Sequence, residues 1–392
     1  MKKIALVTCY FHPNYGSMLQ AYATQKFFDD RSIPCENIRI DGLKKSIESS
    51  KKRFYLKQIM NPQVLTGTIL RIGRKKIVKK LHKQTLGNDL KIRENKFIDF
   101  VNQNFKLSKE YKSISELSNA CSDYSTVLVG SDQLWLPSNI DADYYTLNWV
   151  PEVINKVSYA TSFGTSYLPE NLQSKTKSFL NRIQHISVRE ATGVKIIREC
   201  AGIEAELVCD PTLLFDAEQW MCIQKKEPII DGDYILCYFL GNNKKDREFA
   251  KRLRERTGYK IVALLHLDEY IKSDIGYADE TPFDIGPGEL INLIRNAKYI
   301  VTDSFHGTVF SILNRKIFFT SRRIKKKGLL DTNNRLDSLF DTLGITGRLI
   351  TGDEDIDECL SRKLDYDDIH KNLETLRESS VAFLDKAIKG GN

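Results

Sequence analysis

The chain has 392 residues, 41% of them hydrophobic and 28% charged, with a net charge of +8. That length exceeds one ordinary core and predicts two domains of roughly 150–200 residues. The balance is that of a globular protein, no stretch reaches 18 apolar residues, and so no transmembrane helix is expected.

In chain order, the basic and then apolar start Met1–Val7 breaks at Thr8 and Cys9. It is too short for a signal peptide and suits a buried strand over Lys3–Cys9. A helix follows over Ser17–Asp30, with apolar Leu19, Ala21, Tyr22, Phe27 and Phe28, then a short strand over Glu36–Ile40. Between Lys44 and Lys96 lie 16 Lys or Arg against Glu48, Asp89 and Glu94, more than the excess of the whole chain. The remainder is mildly acidic, which argues against a nucleic-acid-binding enzyme with basic grooves throughout. Within this insertion, residues 69–83 have helix-like spacing with partly separated apolar and basic faces. Such a helix either lies on an anionic membrane surface or belongs to a solvated loop.

An amphipathic helix is expected over Lys91–Asn104. Buried strands are expected at Thr126–Gly130, Lys156–Thr161 and His185–Val188, with a helix near Asn171–Asn181. Glu190–Cys200 reads as a helix and Glu206–Cys209 as a strand stopping at Asp210-Pro211. The polar run Gln224–Asp231 reads as a linker, which places the domains at 1–225 and 226–392. A second cycle alternates strand and helix: Tyr234–Leu240, Lys244–Thr257, Lys260–Leu265, Glu289–Asn296, Tyr299–Asp303, Thr308–Asn314 and Lys316–Thr320. Two such arrays imply two mostly parallel, Rossmann-like sheets facing each other. A last helix, 366–388, carries an apolar stripe that could pack back across the domain junction.

Several strand ends carry polar turns, and in open α/β sheets ligands sit at the carboxyl ends of strands. The sharpest is Thr302-Asp303-Ser304-Phe305-His306-Gly307-Thr308, which reads either as a reactive loop or as a helix cap with His306 incidental. Asn14-Tyr15-Gly16-Ser17 opens the first helix, either as an anion site or as an ordinary cap. In Gly130-Ser131-Asp132-Gln133-Leu134-Trp135, Asp132 could accept a sugar hydroxyl proton and Trp135 could stack on a sugar; a structural turn with Trp135 in the core is the alternative. Arg189, after a strand, has bidentate geometry for a carboxylate or phosphate, or forms an ion pair with Glu190 or Asp210. Cys209-Asp210-Pro211-Thr212 reads mainly as architecture.

Eight cysteines lie scattered without a CxxC pair, which favours reduced thiols in a cytoplasmic protein. No HxxxH, HExxH or clustered carboxylate set exists, so no metal is expected. There is no GxxxxGK[ST], no GxGxxG after a strand and no Gly-x-Ser-x-Gly, which disfavours P-loop NTPases, Rossmann dehydrogenases and serine hydrolases.

Taken together, these loops resemble the polysaccharide pyruvyl transferase family. The resemblance runs in order through Asn14-Tyr15-Gly16 with Leu19 and Ala21-Tyr22-Ala23, then Gly130–Trp135 and Ser158-Tyr159-Ala160-Thr161-Ser162-Phe163-Gly164. It continues through Ser187-Val188-Arg189-Glu190, Asp210-Pro211-Thr212 and Thr302–Gly307. It implies a GT-B-like fold with the site in the interdomain cleft, the acceptor on the first domain and the donor on the second. Phosphoenolpyruvate would be the donor, with no cofactor. A sugar of a surface polysaccharide, or of its lipid-linked precursor, would receive a cyclic pyruvate ketal. By this resemblance His306 lies at the donor; the chemistry would then have it donate a proton, to the enol carbon or to the leaving phosphate, with Asp132 or Asp303 as the base for the attacking hydroxyl. Arg189, Asn14, Gly16, Ser17, Ser131, Gln133, Trp135, Ser304, Gly307, Thr308 and Arg335 would bind substrate. A lipid-linked acceptor would put the enzyme at the inner membrane face, with residues 69–83 as the contact.

One departure stands out. Many relatives carry an arginine shortly before the His-Gly pair, where this chain has Ser304 and Phe305. Arg335 is the first candidate for the missing cation, followed by Arg322 and Arg323 in a basic run that otherwise reads as a solvated loop. Two competing readings remain: a nucleotide-sugar glycosyltransferase on the same architecture, and a non-catalytic protein of a polysaccharide assembly.

Overall fold

The computed structural model describes residues 2–59, 87–266, 271–323 and 334–389. The amphipathic stretch 69–83 and most of the basic run 322–327 lie outside the described residues. Strands β1 (Lys3–Val7), β2 (Cys35–Asn37), β3 (Tyr124–Val129), β4 (Asn155–Thr161), β5 (His185–Val188) and β6 (Glu206–Leu207) form one sheet, in the order β2-β1-β3-β4-β5-β6. Strands β7 (Tyr234–Tyr238), β8 (Lys260–Leu264), β9 (Tyr299–Thr302), β10 (Ile317–Ser321) and β11 (Leu349–Ile350) form the other, in the order β11-β10-β9-β7-β8. All of these pairings are parallel. Parallel strands are covered on both faces, which explains the continuous apolar runs read from the sequence.

Alternation along the strands sorts the core. Ala5, Val7, Val127 and Val129 point to the outer face of the first sheet, and Ile235, Cys237, Ala263 and Val301 to the outer face of the second. The opposite faces, with Ile4, Leu6, Leu128 and Val157 on one side and Leu236, Val262 and Ile300 on the other, belong to a single cluster that crosses the domain junction. The helix Tyr15–Asp29 lies in that cluster and is buried on nearly every side. Its Tyr15 hydroxyl donates to the Ile285 carbonyl at 2.9 Å, and its ring meets Tyr238 edge-on at 5.6 Å.

Part of the basic insertion has a different role from a solvated loop. Residues 87–104 are helical, and Arg93 there is only 1% exposed. Its guanidinium donates to the carbonyls of Leu265 at 2.5 Å, Pro282 at 2.6 Å and Phe283 at 3.4 Å, all in the second domain. Lys96 pairs with Glu289 at 2.9 Å beside it. The linker 224–231 is pinned as well, since the Asn292 amide donates to the carbonyls of Lys225 and Glu227, both at 2.8 Å.

The terminal helix, Tyr366–Lys389, starts on the second domain, where Tyr366 bonds to the Lys316 carbonyl. It ends on the first: Ser380 Oγ accepts from the Cys209 amide at 2.9 Å and the Ala387 carbonyl from Asn155 at 2.8 Å. Its apolar stripe thus straddles both domains. Helix Phe305–Leu313 begins three residues before the expected Thr308. The cause is Ser304, whose hydroxyl accepts from the Gly307 amide at 3.2 Å and lets the first turn form at once. His306 and Gly307 therefore sit on a helical turn.

Candidate active site

Each sheet has a point where strand order reverses, between β1 and β3 in the first and between β7 and β9 in the second. Loops leaving the strands there diverge and leave a crevice. Asn14–Ser17 and Gly130–Asp132 leave β1 and β3, whereas Leu240-Gly241 and Asp303–His306 leave β7 and β9. The two crevices face one another across the junction and touch. A Cβ added to Gly16 would lie 1.9 Å from Nδ1 of His306, so a glycine is required where that ring lies on the helix start.

The first-domain wall centres on Arg189, which is buried at the end of β5. Its Nη1 donates to Asp210 Oδ2 at 2.5 Å and its Nη2 to Asp132 Oδ1 at 2.9 Å. The other Asp132 oxygen accepts from the Ser17 hydroxyl at 2.6 Å. Asp132 holds a left-handed backbone (φ 78°), unusual for a residue with a side chain and a mark of a conformation fixed by its surroundings. Asp210 Oδ1 accepts from the Thr212 amide and hydroxyl at 3.0 and 2.7 Å, and Oδ2 also accepts from Ser131 at 3.3 Å. Burial opposes ionisation of both carboxyls. For Asp132 the pull of Arg189, His306 and Arg335 wins, and for Asp210 that of His306 and Arg189, so both are held well below the usual carboxylate range. Glu190 is the opposite case: burial outweighs the nearby arginines and pushes its carboxyl up. Its Oε1 accepts from the Phe163 amide at 3.1 Å, while its Oε2 has no hydrogen-bond partner.

The second-domain wall brings an imidazole and guanidiniums. His306 is 6% exposed, and its Nε2 lies 3.6 Å from Asp210 Oδ2, an ion-pair distance too long for a hydrogen bond. That nitrogen and Arg189 Nε are both buried without hydrogen-bond partners. Arg335 is buried at the start of helix Asn334–Leu343, with Nη1 3.9 Å from Asp132 Oδ1. Burial and the charges of Arg189 and Arg323 press its pKa down to about 9, which leaves it protonated at neutral pH. Arg323 is half-buried beside Gly241. Arg322 instead points outward to Asp337. Arg189, Arg335 and the His306 imidazole thus meet at the Asp132 and Asp210 carboxylates, and the unbonded Arg189 Nε is an N–H donor suited to an anion.

Not every residue singled out in the sequence joins this cluster. Trp135 is fully buried against Phe163 and Phe179, at 5.2 and 5.3 Å between ring centroids, with its Nε1 on the Tyr145 carbonyl. It is core and cannot stack on a sugar. Asp303 is poorly suited as a base, because its two oxygens accept from the Leu240 and Gly241 amides at 2.6 and 2.7 Å. Asp132, ion-paired and with its pKa depressed, is likewise a weak base. Thr308 bonds within the second domain, to Thr320 and the Ser304 carbonyl. Asn14 caps its helix through Ser17, Ser304 caps its own, and Gly307 packs on Thr302 and Tyr238. Gln133 is half-buried against Gly164. Asp210, read from the sequence as architecture, turns out to be the hub that joins Arg189, Ser131 and His306. Its signal was its place at the end of a strand, in the same row as Asp132 and Arg189.

Among the described residues no group of His, Cys, Asp or Glu could hold a metal ion, and no helix is long and apolar enough to cross a membrane.

A family model described as polysaccharide pyruvyl transferase matches residues 14–320. No curated protein matches. Among solved structures, the UDP-GlcNAc 2-epimerase of Methanocaldococcus jannaschii is 13% identical over 95% of this chain and 92% of its own, with a TM-score of 0.50. The same enzyme of Rickettsia bellii is 10% identical over 99% and 97%, with a TM-score of 0.49. The glycosyltransferase SnogD of Streptomyces nogalater is 11% identical over 99% and 98%, at 0.46. At such identities the likeness concerns fold alone: two parallel-sheet α/β domains in the GT-B arrangement.

Proposed function

The chain belongs to the polysaccharide pyruvyl transferase family, and on that premise we propose that it moves the pyruvyl group of phosphoenolpyruvate onto two hydroxyls of a sugar. The sugar is a unit of a surface polysaccharide or its lipid-linked precursor, the product is a ketal, and phosphate is released. The observation that carries this reading is the cluster of Arg189, Arg335 and His306, drawn from both domains onto one buried spot. Phosphoenolpyruvate carries a carboxylate and a phosphate, and the two guanidiniums beside the His306 imidazole, with the Arg189 Nε still unbonded, suit that pair of anions.

His306 carries the protons. It gives one to C3 of the enol, which turns the methylene into a methyl and makes C2 electrophilic. The first sugar hydroxyl adds to C2 and returns its proton to the imidazole. His306 then protonates the phosphate as its bond to C2 breaks, and the second hydroxyl closes the ketal and returns the last proton. The two hydroxyl protons thus end on C3 and on phosphate. Arg189 and Arg335 stabilise the donor charge throughout, while Asp132 and Asp210 hold Arg189 in place. A base of ordinary basicity at Asp132 or Asp303 is not required.

The test is phosphate release from phosphoenolpyruvate with a panel of nitrophenyl and lipid-linked sugars. Release should depend on the sugar, and His306→Ala should lower turnover by about 10²–10⁴. Arg189→Ala should abolish it. Near-normal turnover of His306→Ala would remove the proton-carrier role. UDP release from UDP-sugars with the same acceptors, and no phosphate release from phosphoenolpyruvate, would replace the donor.

A further inference from the structure

The helix start at Phe305–His306 holds an aromatic ring that the proton chemistry does not use. Phe305 is buried, and two guanidinium carbons lie over its ring, that of Arg189 at 4.8 Å from the centroid and that of Arg335 at 5.4 Å. One arginine comes from each domain. Like charges so close repel, and Arg189 is among the charges that press on Arg335. Asp132 Oδ1 lies 2.9 Å from Arg189 Nη2 and 3.9 Å from Arg335 Nη1, so one carboxylate oxygen is shared unequally between two cations. Asp210 serves only the far end of Arg189. Both also feel the buried Glu190 carboxyl, and the electron-rich ring of Phe305 is a further attraction that they share. An aliphatic side chain of similar bulk fills the same volume without that attraction.

We propose that Phe305 is a positioning residue: its ring holds Arg189 and Arg335 together across the domain junction, at the spacing a donor with two anionic groups needs. This deepens the phosphoenolpyruvate reading and rests on it. The ring does not touch the reacting atoms and acts through the two arginines. It also packs edge-on to His306, with centroids 5.2 Å apart, so the proton carrier and the anion clamp share one helical turn.

The experiment replaces Phe305 with mono-, di- and trifluorophenylalanine, which keep the shape of the ring and progressively weaken its quadrupole. Phe305→Tyr and Phe305→Leu accompany the series. Affinities for phosphoenolpyruvate and for inorganic phosphate are measured by calorimetry on the full chain, with the melting temperature as a control for folding. Affinity for phosphoenolpyruvate should fall stepwise with fluorine count, by roughly tenfold across the series. The melting temperature should stay nearly constant, Phe305→Tyr should retain affinity, and Phe305→Leu should lose about as much as the trifluoro ring. A flat series, or wild-type affinity in Phe305→Leu, overturns the proposal and leaves the donor reading intact. Wild-type protein that binds phosphate but not phosphoenolpyruvate sinks the donor reading, and the phosphate series then decides Phe305 by itself. Protein that binds neither anion overturns both.

Discussion

The two walls of the site are built differently. On the first-domain side Ser17, Ser131, Asp132, Arg189, Asp210 and Thr212 form one hydrogen-bonded and ion-paired network within a single domain. On the second-domain side His306 Nε2 lies 3.6 Å from Asp210 Oδ2 and Arg335 Nη1 3.9 Å from Asp132 Oδ1, and His306 Nε2, like Arg189 Nε, has no hydrogen bond. The first wall is a preorganised scaffold in which Asp132 and Asp210 hold Arg189 and leave its Nε unbonded. The second brings His306, whose Nε2 has no hydrogen-bond partner, up to that network. Removing Asp210 should therefore cost mainly stability, and removing His306 mainly turnover.

The largest effect is expected at the hub. Asp210→Ala leaves Arg189 buried with half its compensation gone, and should lower stability by about 3–5 kcal/mol. Thermal or urea unfolding measures this, and a variant as stable as wild type would erase the contrast between the walls. A carboxylate with a depressed pKa stabilises the fold above its unfolded value near 4, so the Asp210 contribution is lost only in strong acid.

Asp246, beneath the second wall, should behave in the opposite sense. Burial and then the nearby Asp303 push it up to about 7, and its Oδ2 has no hydrogen-bond partner. A raised carboxyl pKa means the folded state keeps a proton that the unfolded chain gives up. Stability should fall as pH rises from about 4 to about 7, by up to about 4 kcal/mol, and level off above. Asp246→Asn removes this loss, so its gain in melting temperature should be larger at pH 8 than at pH 5. An equal gain at both values would exclude the buried charge as the cause.

A smaller effect tests the contact between the walls. In Gly16→Ala the new methyl would lie 1.9 Å from His306 Nδ1, an overlap worth about 1–3 kcal/mol. Better helix propensity returns about 1 kcal/mol, so the net stability change should be small. Turnover should still drop, because the His306 ring must move. Unchanged kcat would show that the ring has room. His306→Ala removes a buried side chain at ion-pair distance from Asp210, so it should cost less stability than Asp210→Ala, which strips Arg189 of a partner, despite its large loss of turnover.

Much of this was legible in the chain. Lys3–Val7, Tyr124–Val129 and Tyr299–Thr302 announce themselves because strands buried on both faces must be apolar throughout. The polar turns that follow them stand out by contrast, and Asn14–Ser17, Asp132, Arg189 and His306 were found in that way. Trp135 was ambiguous for a physical reason: an indole after a polar turn suits a sugar platform and a core equally well until its Nε1 finds a carbonyl. Asp303 looked reactive beside His306, yet two backbone amides 63 and 62 residues away claim its oxygens. Arg93, in a charge-rich run, gave no sign that three carbonyls more than 170 residues away would bury it.

The sequence by itself determined the alternation of strand and helix, the division into two sheets and the row of polar strand ends, because periodicity and turn chemistry are local. Only the tertiary structure decided which of those residues meet. Asp210 bonding to Arg189, Gly16 lying under His306, and Phe305 under two arginines from different domains are contacts between positions far apart in the chain. They depend on how two sheets pack across one shared core, and no local pattern encodes that distance.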